Sequence, residues 1–138
     1  MEEIVISDDK SLLDREVIYR FLASSYWANK RRRETINQSI EQSICYGVYD
    51  GGKQIGFARI VTDEATMYWL CDVFIDEHYR GKGIGMQLID EIVHSDKLAH
   101  LFGYLGTKDA HDFYQAFDFQ LEEEKVMTRI PNFPRNKM

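Results

Sequence analysis

The stretch from Leu70 to Val93, LCDVFIDEHYRGKGIGMQLIDEIV, constrains this chain more than any other. An apolar run ends in a short polar loop. Arg80-Gly81-Lys82-Gly83-Ile84-Gly85 follows, and straight after it comes an amphipathic helical pattern. A strand that feeds a glycine turn opening a helix builds an anion site from backbone. The first helical N–H groups have no intrahelical partner, and the helix dipole adds partial positive charge there. A phosphate or pyrophosphate fits such a place.

The rest of the composition limits what can surround that turn. The 138 residues make one domain, 1–138, with enough chain for a real core. A net charge of −6 excludes a general nucleic-acid binder, whose phosphate contacts need a basic surface. It suits an amine-bearing small substrate. The acidic start, MEEIVISDDK, lacks a secretory layout, and no apolar run reaches membrane-spanning length, so neither a leader nor a membrane partner is expected. Cys45 and Cys71 show neither a C-x-x-C nor a zinc-like spacing. Both are expected as reduced thiols of a cytoplasmic protein, with Cys71 a packing residue. His78, His94, His100 and His111 are scattered without acidic partners at ligand spacing, so no metal is expected.

In chain order, Glu3–Ser7 is predicted as a strand. Helices are predicted over Leu12–Ser24 and Glu34–Ile44, from apolar residues at helical spacing. Cys45–Tyr49, Gln54–Val61 and Thr66–Ile75 form an antiparallel meander, turned at Asp50-Gly51-Gly52 and Asp63-Glu64-Ala65. Alternation along the third strand puts Trp69, Cys71, Val73 and Ile75 on one face, and Tyr68, Leu70, Asp72 and Phe74 on the other. A helix follows over Gly83–His94, buried through Ile84, Leu88, Ile89, Ile92 and Val93. Then come a strand over Leu98–Leu105, a helix over Thr107–Phe117, a left-handed exit at Asp118 and a last strand region over Phe119–Ile130. Pro131–Met138 reads as a frayed tail. The order is β-α-α-β-β-β-α-β-α-β. It implies an α/β (α+β) fold: a mixed, mostly antiparallel sheet with helices on both faces and a parallel crossover around the glycine turn.

This order, with this loop in this place, resembles the GNAT superfamily of acyl-CoA-dependent N-acyltransferases. The family signature, Gln/Arg-x-x-Gly-x-Gly/Ala, is matched by Arg80, Gly83 and Gly85. Downstream, Asp112-Phe113-Tyr114-Gln115-Ala116-Phe117-Asp118-Phe119 is similar to the family's Phe-Tyr-x-x-Leu/Phe-Gly-Phe segment, with Asp118 in place of glycine. The resemblance runs from about Glu3 to Arg129.

It implies that backbone N–H groups of Arg80, Gly81, Lys82, Gly83, Ile84 and Gly85 bind the coenzyme A pyrophosphate. Glycine there lets backbone approach phosphate. It implies further that the end of the preceding strand, Val73 and Ile75 with Phe74 between, hydrogen-bonds the pantetheine arm of acetyl-CoA. Tyr114 matches the tyrosine that acts as general acid on the departing thiolate; the alternative is a place in the aromatic stripe with Phe113 and Phe117. Asp72, one residue before the proposed pantetheine contact, is the candidate general base, and burial is expected to raise its pKa. The competing reading is a buried carboxylate satisfied by backbone N–H groups at a bulge. By resemblance the acceptor lies near Tyr26, Trp27 and the run Lys30-Arg31-Arg32-Arg33, where Arg33 is the candidate partner for a substrate carboxylate. That run also reads as a solvated basic turn. The expected reaction is direct acetyl transfer to a primary amine of a small molecule or peptide. The alternative is a non-catalytic acyl-CoA-binding regulatory module. Free strand edges are compatible with a homodimer.

Overall fold

The computed structural model describes residues 3–131. Its sheet has five strands in sequence order: β1 (Ile4–Ser7), β2 (Ile44–Asp50), β3 (Lys53–Thr62), β4 (Met67–Ile75) and β5 (Phe102–Leu105). The first three pairings are antiparallel. β5 runs parallel to β4, from Met67↔Phe102 to Leu70↔Leu105. The meander follows from its turns. Gly51 takes φ +64° between β2 and β3, and the Asp63 carboxylate accepts from the Ala65 and Thr66 N–H groups before β4.

Two helices cover one face. α1 (Arg15–Ala23) starts at Asp14, whose side chain accepts from the Glu16 and Val17 N–H groups. Ser11 and the aspartates before it lie at or near a separate 3-10 turn over Lys10–Leu12, capped by Asp9, so the α-helix begins later than the apolar pattern suggests. Val17, Ile18, Phe21 and Leu22 of α1, with Ile36 and Ile40 of α2 (Arg33–Glu41), pack on Cys45 and Phe57. Phe21 stacks on Phe74 at 4.5 Å. Ile44, which continues the four-residue isoleucine spacing of α2, instead starts β2.

The opposite face is covered by α3 (Ile84–Val93), with Ile84, Leu88, Ile89 and Ile92 buried against Val48, Ala58, Ile60 and Leu70. Each such aliphatic side chain contributes about 1.5–3 kcal/mol on burial. α4 (His111–Gln115) is shorter than the sequence suggests. Asp118 follows it at φ +69°, the left-handed exit expected. The residues from Leu98 to Leu101 form a turn rather than the start of β5, although Leu98 itself is buried.

Two further expectations are corrected. The alternation of β4 does not hold along its length. Arg59 faces Cys71 and Phe57 faces Phe74, so β4 spends one more residue than β3 between those pairs. That bulge centres on Asp72, at φ +53°. The side chains change sides there: Val73 and Ile75 pack into the same cluster as Tyr68 and Leu70, while Phe74 joins the α1–α2 side. Nor do residues 119–130 form a strand among the described residues. The consecutive charges Glu122-Glu123-Glu124-Lys125 break the alternation at a turn, and Leu121, Val126, Met127 and Ile130 are exposed. β5 is therefore an edge of the sheet. Residues 132–138 of the predicted tail lie outside the described residues.

Candidate active site

β4 and β5 pair only as far as Leu70↔Leu105. Beyond that, Cys71–Ile75 has its β3 partner on one side and, among the described residues, no strand on the other. Next in the chain, Asp76 caps a 3-10 turn over Glu77–Tyr79 through the His78 N–H, and that hydrogen bond draws the Asp76 carboxyl below its usual range. Gly81 at φ +78° and Gly83 at φ +81° then swing the chain into α3. These are positions where a Cβ is strained, and Gly83 is the helix N-cap. Among the described residues, the N–H groups of Gly81 through Met86 make no hydrogen bond. The turn thus presents a run of unspent donors at the positive end of a ten-residue helix.

Side chains brace this turn. Arg80 Nε donates to the Ile75 carbonyl at 2.9 Å, and its guanidinium lies 5.2 Å from the Phe74 ring centre. Lys82 reaches over Tyr79, whose hydroxyl donates to Asp50 Oδ2 at 2.7 Å. Gly85 faces Ile75 and Phe113, so the first turn of α3 lies against α4.

At the bulge, Asp72 gathers three donors. Arg59 Nε reaches Oδ2 at 2.8 Å, Arg31 Nη1 reaches the same oxygen at 2.9 Å, and Trp27 Nε1 donates to Oδ1 at 2.9 Å. The Asp72 side chain is 2% exposed, against 24% for Arg31 and 14% for Arg59. Burial pushes the Asp72 carboxyl up. The hydrogen bond and charge of Arg59, the charge of Arg31 and the Trp27 hydrogen bond outweigh it, so the group sits below the ordinary carboxylate range. The expected upward shift is therefore reversed. The partners are also side chains from β3 and the α1–α2 loop rather than backbone N–H groups. Arg59 continues to buried Ser43, donating from Nη1 to its hydroxyl at 3.2 Å.

Tyr114 lies half-buried on α4, with its ring edge-on to Phe113 and Phe119. Burial, with Tyr26 nearby, pushes its phenol up to about 12. Its hydroxyl makes no hydrogen bond among the described residues. Tyr26 packs edge-on against Trp27 at 5.1 Å, and the Lys108 ammonium lies 5.1 Å from its ring centre. The α1–α2 loop therefore connects α4 on one side with the β4 bulge on the other.

Not every sequence candidate arrives here. Arg33 heads α2, stacks over Tyr19 at 4.5 Å and lies 3.5 Å from Glu16, exposed to solvent. Arg31 and Arg59 are the arginines the fold brings in. Arg59 carried a signal, since it interrupts the apolar run of β3; Arg31 could not be told from its neighbours Lys30, Arg32 and Arg33. The Cys71 thiol is pushed up by burial, against the pull of Arg59. Among the described residues, no group of three or more His, Cys, Asp or Glu is placed to hold a metal.

Residues 41–121 match the acetyltransferase (GNAT) domain family. A protein of Gibberella zeae assigned to the acetyltransferases is 27% identical over 147 aligned positions, covering 80% of this chain and 82% of that protein. The crystal structure of a Xanthomonas campestris protein assigned to the GNAT acetyltransferases superposes with a TM-score of 0.89 at 32% identity, covering 95% of both chains. A GNAT-family acetyltransferase from Streptococcus pneumoniae shares the fold at a TM-score of 0.73 and 21% identity, covering 95% of this chain and 98% of that one.

Proposed function

This chain belongs to the GNAT acetyltransferase family, and from that premise we propose that it moves the acetyl group of acetyl-CoA to a primary amine of a small molecule or peptide by direct attack. The observation that carries this reading is the break in β4–β5 pairing after Leu70↔Leu105, immediately ahead of a turn whose N–H groups are unspent. The open edge of β4 offers backbone at Val73 and Ile75 to the amides of the pantetheine arm. The N–H groups from Gly81 onward offer donors to its pyrophosphate.

In the reaction, a neutral amine nitrogen attacks the thioester carbonyl carbon. An N–C bond forms and the C–S bond breaks. The nitrogen loses a proton and the departing sulfur gains one. Tyr114 is protonated at neutral pH, as an ordinary phenol is, and burial pushes its pKa further up to about 12, so its hydroxyl can donate to the sulfur as negative charge develops. Asp72 fits a positioning role better than a base. Its carboxylate is held ionised by two guanidinium groups, and it ties the acceptor-side loop to the bulge.

Two expected outcomes follow from the residues themselves. Gly83→Ala places a Cβ in open space but at φ +81°, so it lowers stability by about 1–2 kcal/mol and weakens coenzyme A binding, read by calorimetry. Normal affinity in that variant would remove the glycine turn from the pyrophosphate site. Cys71→Ala keeps turnover, because a thiol with a raised pKa holds little thiolate at neutral pH. Loss of activity with folding and coenzyme binding intact would point to a covalent acyl-enzyme instead.

The enzyme reading is tested by thiol release from acetyl-CoA with a panel of amines. Release that depends on an amine supports it. Coenzyme binding without release from any amine supports the non-catalytic module.

A further inference from the structure

Among the described residues, the guanidinium pair at the β4 bulge carries one more charge than its shared ion-pair partner neutralises. Arg31 and Arg59 both turn to Asp72, and both use the same oxygen. One carboxylate balances one guanidinium, which leaves one positive charge over in a largely buried cluster. Such an excess is costly to bury unless an anion or water completes it.

The two arginines are not equally occupied. Arg59 spends Nε on Asp72 and Nη1 on Ser43. The Arg31 guanidinium makes one hydrogen bond among the described residues, to Asp72 at 2.9 Å, and leaves most of its fork of donors unspent. It is also the more exposed of the two, at 24%. Val61, Trp69 and Tyr104 form a row across β3, β4 and β5, two residues along the register from Arg59↔Cys71. Trp69 and Tyr104 stack at 5.4 Å, and Val61 and Phe102 are exposed at this end of the sheet. Among the described residues, no helix covers that row in the way α1 and α2 cover Cys45 and Phe57. Lys108 lies over the Tyr26 ring rather than at Asp72, so among the described residues the cations paired with Asp72 are Arg31 and Arg59.

We propose that the acceptor is an amine that also carries a carboxylate, and that Arg31, held by Asp72 beside Arg59, is the residue that binds that carboxylate. This rests on the acetyltransferase reading and names the substrate class for the same site. It also reconciles a chain of net charge −6 with an anionic substrate, since the positive charge is local to the site. A fork of N–H donors held in place by a buried carboxylate is pre-organised for a second, planar carboxylate.

The test pairs amines that differ only in this group: glycine, β-alanine, 4-aminobutyrate, 6-aminohexanoate and phenylalanine, each beside its primary amide. Thiol release from acetyl-CoA is read for every pair. At least one carboxylate member is expected to exceed its amide in kcat/KM by about 10- to 100-fold, the range of a charge-assisted hydrogen bond. Arg31→Gln brings that ratio close to one. Arg31→Lys, which keeps the charge and loses the fork, leaves an intermediate ratio. Thermal melts confirm that both variants fold. Calorimetric titration of the same pairs into the coenzyme A-saturated protein gives a readout independent of turnover. Carboxylates that bind more tightly than amides without any thiol release would overturn the acetyltransfer reading and keep the anion site. Release with equal kcat/KM for acid and amide in every pair, or a ratio unchanged in Arg31→Gln, would overturn the anion site and keep the acetyltransfer.

Discussion

Tyr114→Phe lowers kcat for acetyl transfer by about 100- to 1,000-fold, the range for losing a positioned proton donor, with little change in coenzyme A affinity. The substitution removes one oxygen and keeps the ring that packs against Phe113 and Phe119. Stability therefore stays close to that of the parent, which separates chemistry from folding. The pH profile adds a second signature. The phenol is pushed up to about 12, so it remains protonated across the working range. The rate of the parent enzyme then rises with pH as the acceptor amine loses its proton, and Tyr114 contributes no falling limb below about pH 11. A phenylalanine variant with an unchanged rate at every pH would return Tyr114 to the aromatic stripe.

Asp72→Asn lowers stability by about 2–4 kcal/mol, somewhat under the usual cost of removing one partner from a buried ion pair because both arginines keep partial contact with solvent. In a domain of this size that is a fall in Tm of about 10 °C. Asparagine tolerates the left-handed backbone of the bulge nearly as well as aspartate, so the variant isolates the charge. Acid titration supplies the sign. The folded-state pKa of Asp72 is lowered, and its unfolded value is about 4. Its contribution is therefore fully present above about pH 4 and is lost as pH falls through the lowered folded value. The parent loses this contribution in acid, whereas the asparagine variant has none to lose. Equal acid sensitivity in the two proteins, with equal Tm at pH 7, would mean that Asp72 does not anchor the α1–α2 loop.

Much of the fold is legible from local chemistry. The glycines and aspartates of the hairpin turns place the meander, the apolar stripe of α3 places its buried face, and Asp118 takes the left-handed conformation that ends α4. Sequence reasoning fails where a tertiary event decides. The bulge at Asp72 inserts a residue into β4, and period-two alternation cannot register an insertion whose evidence lies in the pairing with β3. The final strand failed for a different reason: a charged run interrupts an otherwise β-prone sequence. At the site, the glycine turn and Tyr114 stand out as candidates from the residues themselves. Arg31 does not, because which member of a basic run turns inward depends on where a buried carboxylate waits. Arg31 lies next to Arg32 and Arg33 in the chain, and Asp72 selects it.

The central claim is that the open edge of β4 and the glycine turn hold acetyl-CoA for direct attack by an amine. The most direct measurement incubates the protein with acetyl-CoA and the amine panel, following thiol release and identifying products by mass spectrometry. The account predicts stoichiometric release of coenzyme A and an N-acetylated product, with release dependent on the amine and lost in Tyr114→Phe. Coenzyme A bound tightly at the turn, with no amine acetylated and no thiol released, would contradict it.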